Sequence, residues 1–297
     1  MIYQVVHSTR YDYLAEVAVS HHLAHLRPRS MPGQRTLDHA LEIDPAPAVL
    51  KHWTDYHGNE ATFFTLEENH ASLVVVSRAR VEVQPKPRSQ AESSPPWEQV
   101  AALRFVPRLA DDGEGMEFAF PSPLIGHHRE FGRYARRSFP PGCPLLEGAL
   151  DLMRRMAAEF EFDQAATSVA TPVLEALRKR RGVCQDFAQV MIACLRSLGL
   201  PARYVSGYLE TLPPPGQPKL QGADASHAWV SVFSPGQGWV DFDPTNNLLP
   251  GERHITIGWG RDFSDVSPIR GVLLGSGDHE LEVSVDVVPE ASTGSPA

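Results

Sequence analysis

The sequence predicts an α+β protein in which an N-terminal all-β domain precedes helices packed on an antiparallel sheet. Three observations carry that reading. Residues 1–83 hold β-type runs such as Leu73 to Val83, cut by turn-forming stretches at Pro45-Ala46-Pro47 and Asp55-Tyr56-His57-Gly58-Asn59. Beyond residue 97, apolar residues recur at helical spacing. Residues 226–245 then return to strand-like alternation around a glycine-containing turn. The boundary falls where Pro85, Pro87, Pro95 and Pro96 stand among serines without apolar periodicity, as in linkers. The expected organisation is residues 1–84 as the β-rich domain, 85–97 as linker, 98–288 as the core, and 289–297 as a disordered tail with nothing to anchor it.

A chain of 297 residues has length for about two domains, and its 42% hydrophobic content rules out a disordered protein. The 36 acidic and 27 basic residues leave a formal charge of −9, which argues against nucleic acid as a partner, because phosphate binding draws on excess Lys and Arg. No apolar run approaches the ~20 residues of a membrane helix, so no membrane association is expected. The opening Met1-Ile2-Tyr3-Gln4-Val5-Val6 lacks the basic and apolar regions of a secretory signal. Three cysteines, Cys143, Cys184 and Cys194, form neither a disulfide framework nor a CxxC zinc pair, and a reducing, cytoplasmic setting is expected.

In the core, Leu145, Ala149, Leu152, Met153, Met156 and Phe160 form one helical stripe, with Arg154, Arg155 and Glu159 on the other face. Thr171-Pro172 opens a second helix that runs to about Arg180 and ends at Gly182. A third helix begins at Cys184: Phe187, Met191, Cys194, Leu195 and Leu198 make its apolar stripe, and Gly199 and Pro201 stop it. Cys184 is off that stripe and at the helix start, where unpaired N–H groups and the helix dipole favour thiolate over thiol. Cys194 sits inside the stripe, where burial disfavours a thiolate, and Cys143 lies in a loop between Gly142 and Pro144. Cys184 is therefore the candidate nucleophile.

A nucleophilic Cys needs a base and a group to orient it. His227, Trp229, Ser231 and Phe233 alternate with Ala228, Val230 and Val232; residues 234–238 form a turn; and Trp239 to Asp243 begin a second strand. If Phe233 pairs with Trp239, then Trp229 lies opposite Asp243, and His227 and Asp243 are diagonal neighbours about 7–8 Å apart between Cα atoms. Asp243 is also placed to serve as the turn residue of Asp243-Pro244-Thr245. Asp241 has the same parity and ranks second as the orienting acid. Trp229, two residues along the face of His227, is expected to border the cleft and stack on substrate. Residues 1–83 lack a comparable nucleophile and base. They are expected to provide binding surface, so removal of residues 1–90 should leave the thiol reactive.

Four blocks occur in order: Arg181-Gly182-Val183-Cys184-Gln185-Asp186-Phe187-Ala188, Leu198 to Tyr208, His227-Ala228-Trp229-Val230, and Gly238 to Asn246. Together they resemble the bacterial transglutaminase-like superfamily. Val5 to Tyr13, Leu26-Arg27-Pro28-Arg29 and Asp55 to Asn59 look like the β-rich N-terminal region that accompanies these cores, and Arg261 to Pro268 look like the segment after the catalytic Asp. The resemblance implies a papain-like core in which Cys184 is nucleophile, His227 base and Asp243 orienter, acting through a thioester on peptide or glutamine amide bonds. It implies a cysteine peptidase or amidase, with protein-glutamine transglutamination as the alternative and a non-catalytic binding module as a third. Gln185 and Trp229 are candidates for substrate binding or for the oxyanion site. No cofactor and no metal is expected. The sequence has no calcium loop of acidic ligands, so the calcium activation of animal transglutaminases is not carried over. The partner is a protein or peptide substrate.

Overall fold

The computed structural model describes residues 1–85, 90–105, 115–211, 224–275 and 278–290. The N-terminal strands are β1 (Ile2–Ala24), β2 (Gln34–Asp44), β3 (Val49–Thr54), β4 (Glu60–Leu66) and β5 (His70–Val83). They form an antiparallel sheet in the order β2-β5-β1-β4-β3. β1 is far longer than the short runs expected from the sequence. Tyr3, Val5, His7 and Thr9 alternate inward along its first half, and Val17 and Ala24 are buried in its second. Its register with β5 shifts between Asp12 and Val17, so the first half pairs mainly with β5 and the second with β4.

The core opens with α1 (Trp97–Leu103), α2 (Arg129–Ala135) and α3 (Leu145–Glu159). Two-residue strands β6 (Glu161–Phe162) and β7 (Arg181–Gly182) flank α4 (Val173–Lys179), and α5 (Cys184–Ser197) follows directly. α4 ends one residue past its last helical position at Arg180, which adopts the left-handed conformation with φ 53°, so Arg180 rather than Gly182 closes this helix. β8 (Ala202–Leu209), β9 (Ala225–Ser234), β10 (Gly238–Phe242) and β11 (His254–Gly260) make a second antiparallel sheet in the order β10-β9-β8-β11. Met191, Ile192 and Leu195 of α5 pack with Ala202, Tyr204, Ala228, Val230 and Val232 in one continuous core. At the end of α5, the buried Arg196 guanidinium donates to the carbonyls of Phe118, Ala202 and Arg261 and to Ser122 Oγ. It thereby locks the helix to the first residue of β8 and to the segment after β11.

The expected domain limits do not coincide with the sheets. β12 (Ile269–Gly275) and β13 (His279–Pro289) leave the core and pair along β1. The last strands of the region expected to end at 288 therefore belong to the N-terminal sheet, because β1 presents an unpaired edge that a local reading cannot see. Tyr3, Val5, Val81, Val285 and Val287 share a buried cluster with Tyr208, Ile255 and Ile257 of the second sheet. The N-terminal sheet and the second sheet thus share buried contacts, and removal of residues 1–90 would strip β12 and β13 of the strand they pair with. Of the expected linker, Ser94 and Pro95 are structural: Ser94 Oγ accepts from Leu146 N–H and the Pro95 carbonyl from Leu145 N–H, capping the start of α3. Pro289 ends β13 and Glu290 pairs with Arg80, while residues 291–297 of the expected tail lie outside the described residues.

Candidate active site

Cys184 is the first residue of α5 and is half-buried. The turn that starts the helix is fixed by Asp186, whose Oδ2 accepts from Val183 N–H at 2.9 Å and from Thr167 Oγ1 at 2.6 Å. An acidic side chain in this position satisfies an N–H that the helix cannot, and it complements the positive end of the dipole.

The β9–β10 hairpin has the register that parity implied: Phe233 pairs with Trp239 and Val230 with Phe242. Gly236 and Gly238, at φ 82° and 72°, take left-handed conformations that side chains rarely adopt, and their loop sets this register. His227, near the start of β9, is 8% exposed, and Asp243, one residue past β10, is wholly buried. His227 Nε2 lies 2.8 Å from Asp243 Oδ2. The Cys184 thiol is near enough to act on the same ring, raising it alongside Asp243. The structure therefore brings Cys184, His227 and Asp243 together. Asp241, two residues before Asp243 on β10, pairs in register with Ser231 and contributes its charge to the buried Arg203.

The two oxygens of Asp243 divide two tasks. Oδ1 accepts from the backbone N–H groups of Thr245 and Asn246 at 3.0 and 3.1 Å, the turn role that Asp before Pro commonly takes. Oδ2 accepts from His227, from Asn246 Nδ2 at 2.8 Å and from His254 Nε2 at 3.2 Å. Burial would raise this carboxyl, but the hydrogen bonds from His227 and His254, the charge of His227 and the Asn246 amide hold it well below the usual carboxylate range. For His227 the largest influence, burial, disfavours the imidazolium. The hydrogen bonds to Asp243 and Cys184 and the charges of both outweigh it and push the ring up to about 9. Cys194, fully buried, has its thiol pushed up by desolvation, and Cys143 is raised by burial and by Glu147.

Trp229 differs from expectation. It shares the face of His227, its ring tilted at 6.1 Å from the imidazole and edge-on to His254 at 5.3 Å, but it is completely buried. It forms a wall behind His227 and has no surface for stacking on substrate, because the absent side chain of Gly207 lets the indole sink against β8. Gln185, in the first turn of α5, is half-buried. His254 and Asn246 were not anticipated. Asn246 belongs to the Asp243-Pro244-Thr245-Asn246 turn, where the preference of Asp and Asn for local capping is a usable signal. His254 begins β11, on the opposite edge of the sheet from β10, and no local pattern points to it.

His227, Asp243 and His254 are also the kind of side chains that ligate metals, and one ligating atom of each lies within 4.8 Å of the others. The separations of 2.8 and 3.2 Å from one shared oxygen are hydrogen-bond distances, so a cation there would have to displace both ring protons. A cavity of about 540 Å³ opens elsewhere, lined by His25, Asp55, His57, Glu117, Arg261 and Asp265.

Residues 3–82 match the family model for the bacterial transglutaminase-like N-terminal region, and residues 135–244 match that for the transglutaminase-like superfamily. An uncharacterized protein of Mycobacterium tuberculosis is 41% identical over 97% of this chain and 92% of its own length. The chain belongs to the transglutaminase-like superfamily. An uncharacterized protein of Mycobacterium leprae is 31% identical over 96% of this chain and 97% of its own. The protein-glutamine gamma-glutamyltransferase of Pseudomonas aeruginosa is 42% identical, over only 24% of this chain and 11% of its own. Among solved structures, one described as a "Putative Cysteine Protease" from Cytophaga hutchinsonii superposes with a TM-score of 0.77 at 22% identity, covering 99% of this chain and 92% of that one, which shows a shared fold. The α+β architecture is therefore that of this transglutaminase-like superfamily, and its matched core ends at residue 244, before His254.

Proposed function

We propose that the protein is a thiol-dependent acyl-transfer enzyme acting on peptide or glutamine amide bonds, with water as the usual acceptor. The observation that supports this most directly is the 2.8 Å hydrogen bond of His227 to the buried Asp243 carboxylate, on a ring that the Cys184 thiol also raises. Cys184 Sγ, having given its proton to His227 Nδ1, attacks the amide carbonyl, and a C–S bond forms as the carbonyl π electrons move to oxygen. The Cys184 backbone N–H, at a helix start and without an intrahelical acceptor, is the natural donor to that oxyanion. As the intermediate collapses, the C–N bond breaks and the leaving nitrogen takes the proton from His227. The resulting thioester is resolved by water, deprotonated by the same imidazole, to release acid and regenerate the thiol. Asp243 holds the ring in the tautomer with Nε2–H and stabilises its cationic form.

Transglutamination follows the same steps with a lysine amine as acceptor, and the partial match to a glutamyltransferase keeps it as the second reading. A free thiol at Cys184 suits a reducing compartment, and we place the protein in the cytoplasm on that ground. Among the described residues no helix is long and apolar enough to cross a membrane. The test is to incubate the protein with glutamine-containing peptides, trap the acyl-enzyme on Cys184 by mass spectrometry, and identify products with and without a primary amine. Released acid alone supports hydrolysis, and amine incorporation moves the assignment to transglutamination. No adduct on Cys184 with any peptide would overturn the proposal.

A further inference from the structure

We infer that His254 is a positioning residue for this reaction, holding the Asp243 carboxylate through the same oxygen that His227 meets so that Oδ2 stays aimed at the catalytic imidazole. The inference rests on the thiol–imidazole reading of the site. Two imidazole nitrogens converge on one oxygen: His227 Nε2 at 2.8 Å and His254 Nε2 at 3.2 Å, with all three side chains buried. The His254 ring is held in turn. It meets the Trp229 indole edge to face at 5.3 Å, and its centroid stands 6.1 Å from that of His227.

The fold makes this contact costly to arrange, which favours a role beyond filling space. Asp243 follows β10 at one edge of the sheet, and the chain must cross to the other edge before His254 opens β11. The residues after His254 are anchored deeply, since Ile255 and Ile257 lie in the cluster shared with Tyr3, Val5, Val285 and Val287. The turn bonds to Oδ1 fix where the carboxylate sits but do little to stop Oδ2 rocking relative to the ring of His227. Asn246, on the same turn, moves with Asp243. Besides His227 itself, His254 is a donor to Oδ2 carried by an element separate from that turn. It therefore limits rotation of the carboxylate and keeps the short bond to His227, whose Nδ1 must meet the thiol.

The experiment compares the full-length wild-type chain with His254→Leu and His254→Gln, reading the rate of Cys184 alkylation by iodoacetamide and the low-field proton spectrum of histidine-labelled protein. Wild type should show two low-field ring N–H protons, one from each imidazole bonded to Asp243. His254→Leu should lose one, displace the other, and alkylate about tenfold more slowly, the loss corresponding to one hydrogen bond to a charged group. His254→Gln keeps an N–H donor and should recover most of the rate. An unchanged rate and His227 resonance in His254→Leu, or a His254→Gln variant as slow as His254→Leu, would overturn the assignment. If the leucine variant does not fold, absence of a low-field His254 proton in the wild type overturns it equally. Failure of the underlying reading is distinguishable: wild-type Cys184 would then react no faster than Cys143.

Discussion

Replacing Asp243 with Asn removes a charge while keeping nearly the same shape, and so isolates what the carboxylate does for His227. The imidazole stands at about 9 instead of its ordinary 6.5 despite burial that favours the neutral ring, a difference of about 3 kcal/mol in favour of imidazolium. The hydrogen bond to Asp243 is the largest influence raising it, ahead of Cys184. In the Asn variant, burial is opposed only by Cys184, and the ring should titrate well below its wild-type value. The thiolate–imidazolium pair then loses its stabilisation near neutrality, and an ordinary thiol is only a few per cent ionised there. Alkylation of Cys184 at pH 7 should therefore slow by ~10- to 100-fold, with reactivity returning only as the medium becomes alkaline. The assay is iodoacetamide labelling from pH 5 to pH 10 with peptide mapping. A variant with the wild-type rate and profile would refute the claim that Asp243 supports the charge on His227.

Labelling of the native protein at neutral pH should modify Cys184 in preference to Cys194, whose thiol is buried and raised by desolvation; preferential modification of Cys194 would remove the assigned nucleophile. The Asp243–His227 pair should also shape stability against pH. Asp243, held below its ordinary 3.8, contributes stability above that value which is lost as the medium is acidified through and below it, whereas His227 contributes stability below 6.5 that is lost as pH rises through about 9. The difference in melting temperature between wild type and Asp243→Asn should be widest between these limits, and a flat difference would contradict it. Gly207→Ala would drive a Cβ into the Ile255 carbonyl oxygen and the Trp229 ring, and should cost ~1–3 kcal/mol in chemical denaturation through overpacking behind His227. Deleting residues 1–24 should abolish cooperative unfolding, since β4, β5, β12 and β13 all pair with β1; a folded deletion protein would refute this.

What is legible in the sequence is what is local. The start of α5 at Cys184 is written in the apolar stripe that follows it, and the β9–β10 register is written in alternation and loop length, so the partnership of His227 with Asp243 can be read from the order of residues alone. The tertiary contacts are not legible in this way. Parity puts Trp229 on the face of His227 but says nothing of the depth of what lies over that face; the space vacated at Gly207 decides it. His254 is invisible to a local reading because its relation to Asp243 is set by a crossover between sheet edges. The division into 1–84 and 98–288 fails to match the sheets because composition marks where a chain bends, and not which strand edge a distant segment will fill.

The position of His227 is consequently set by strands β1 and β13. Three residues before His227, Asp224 N–H donates to the Val285 carbonyl at 3.1 Å, and Asp224 Oδ2 accepts from Val287 N–H at 2.6 Å. The start of β9 is therefore hung on β13, which is itself registered along β1 from Tyr3 to Tyr13. The end of β8 is buttressed by β1: Tyr208 Oη lies 2.9 Å from His7 Nδ1, and Tyr3 Oη donates to Glu210. Cys184 is held by Asp186 at the start of α5, and α5 packs on β9 in the core that Ala228, Val230 and Val232 share. Cys184 and His227 are thus brought together across the packing of α5 on β9, while the strand that carries His227 is tied through β13 to β1.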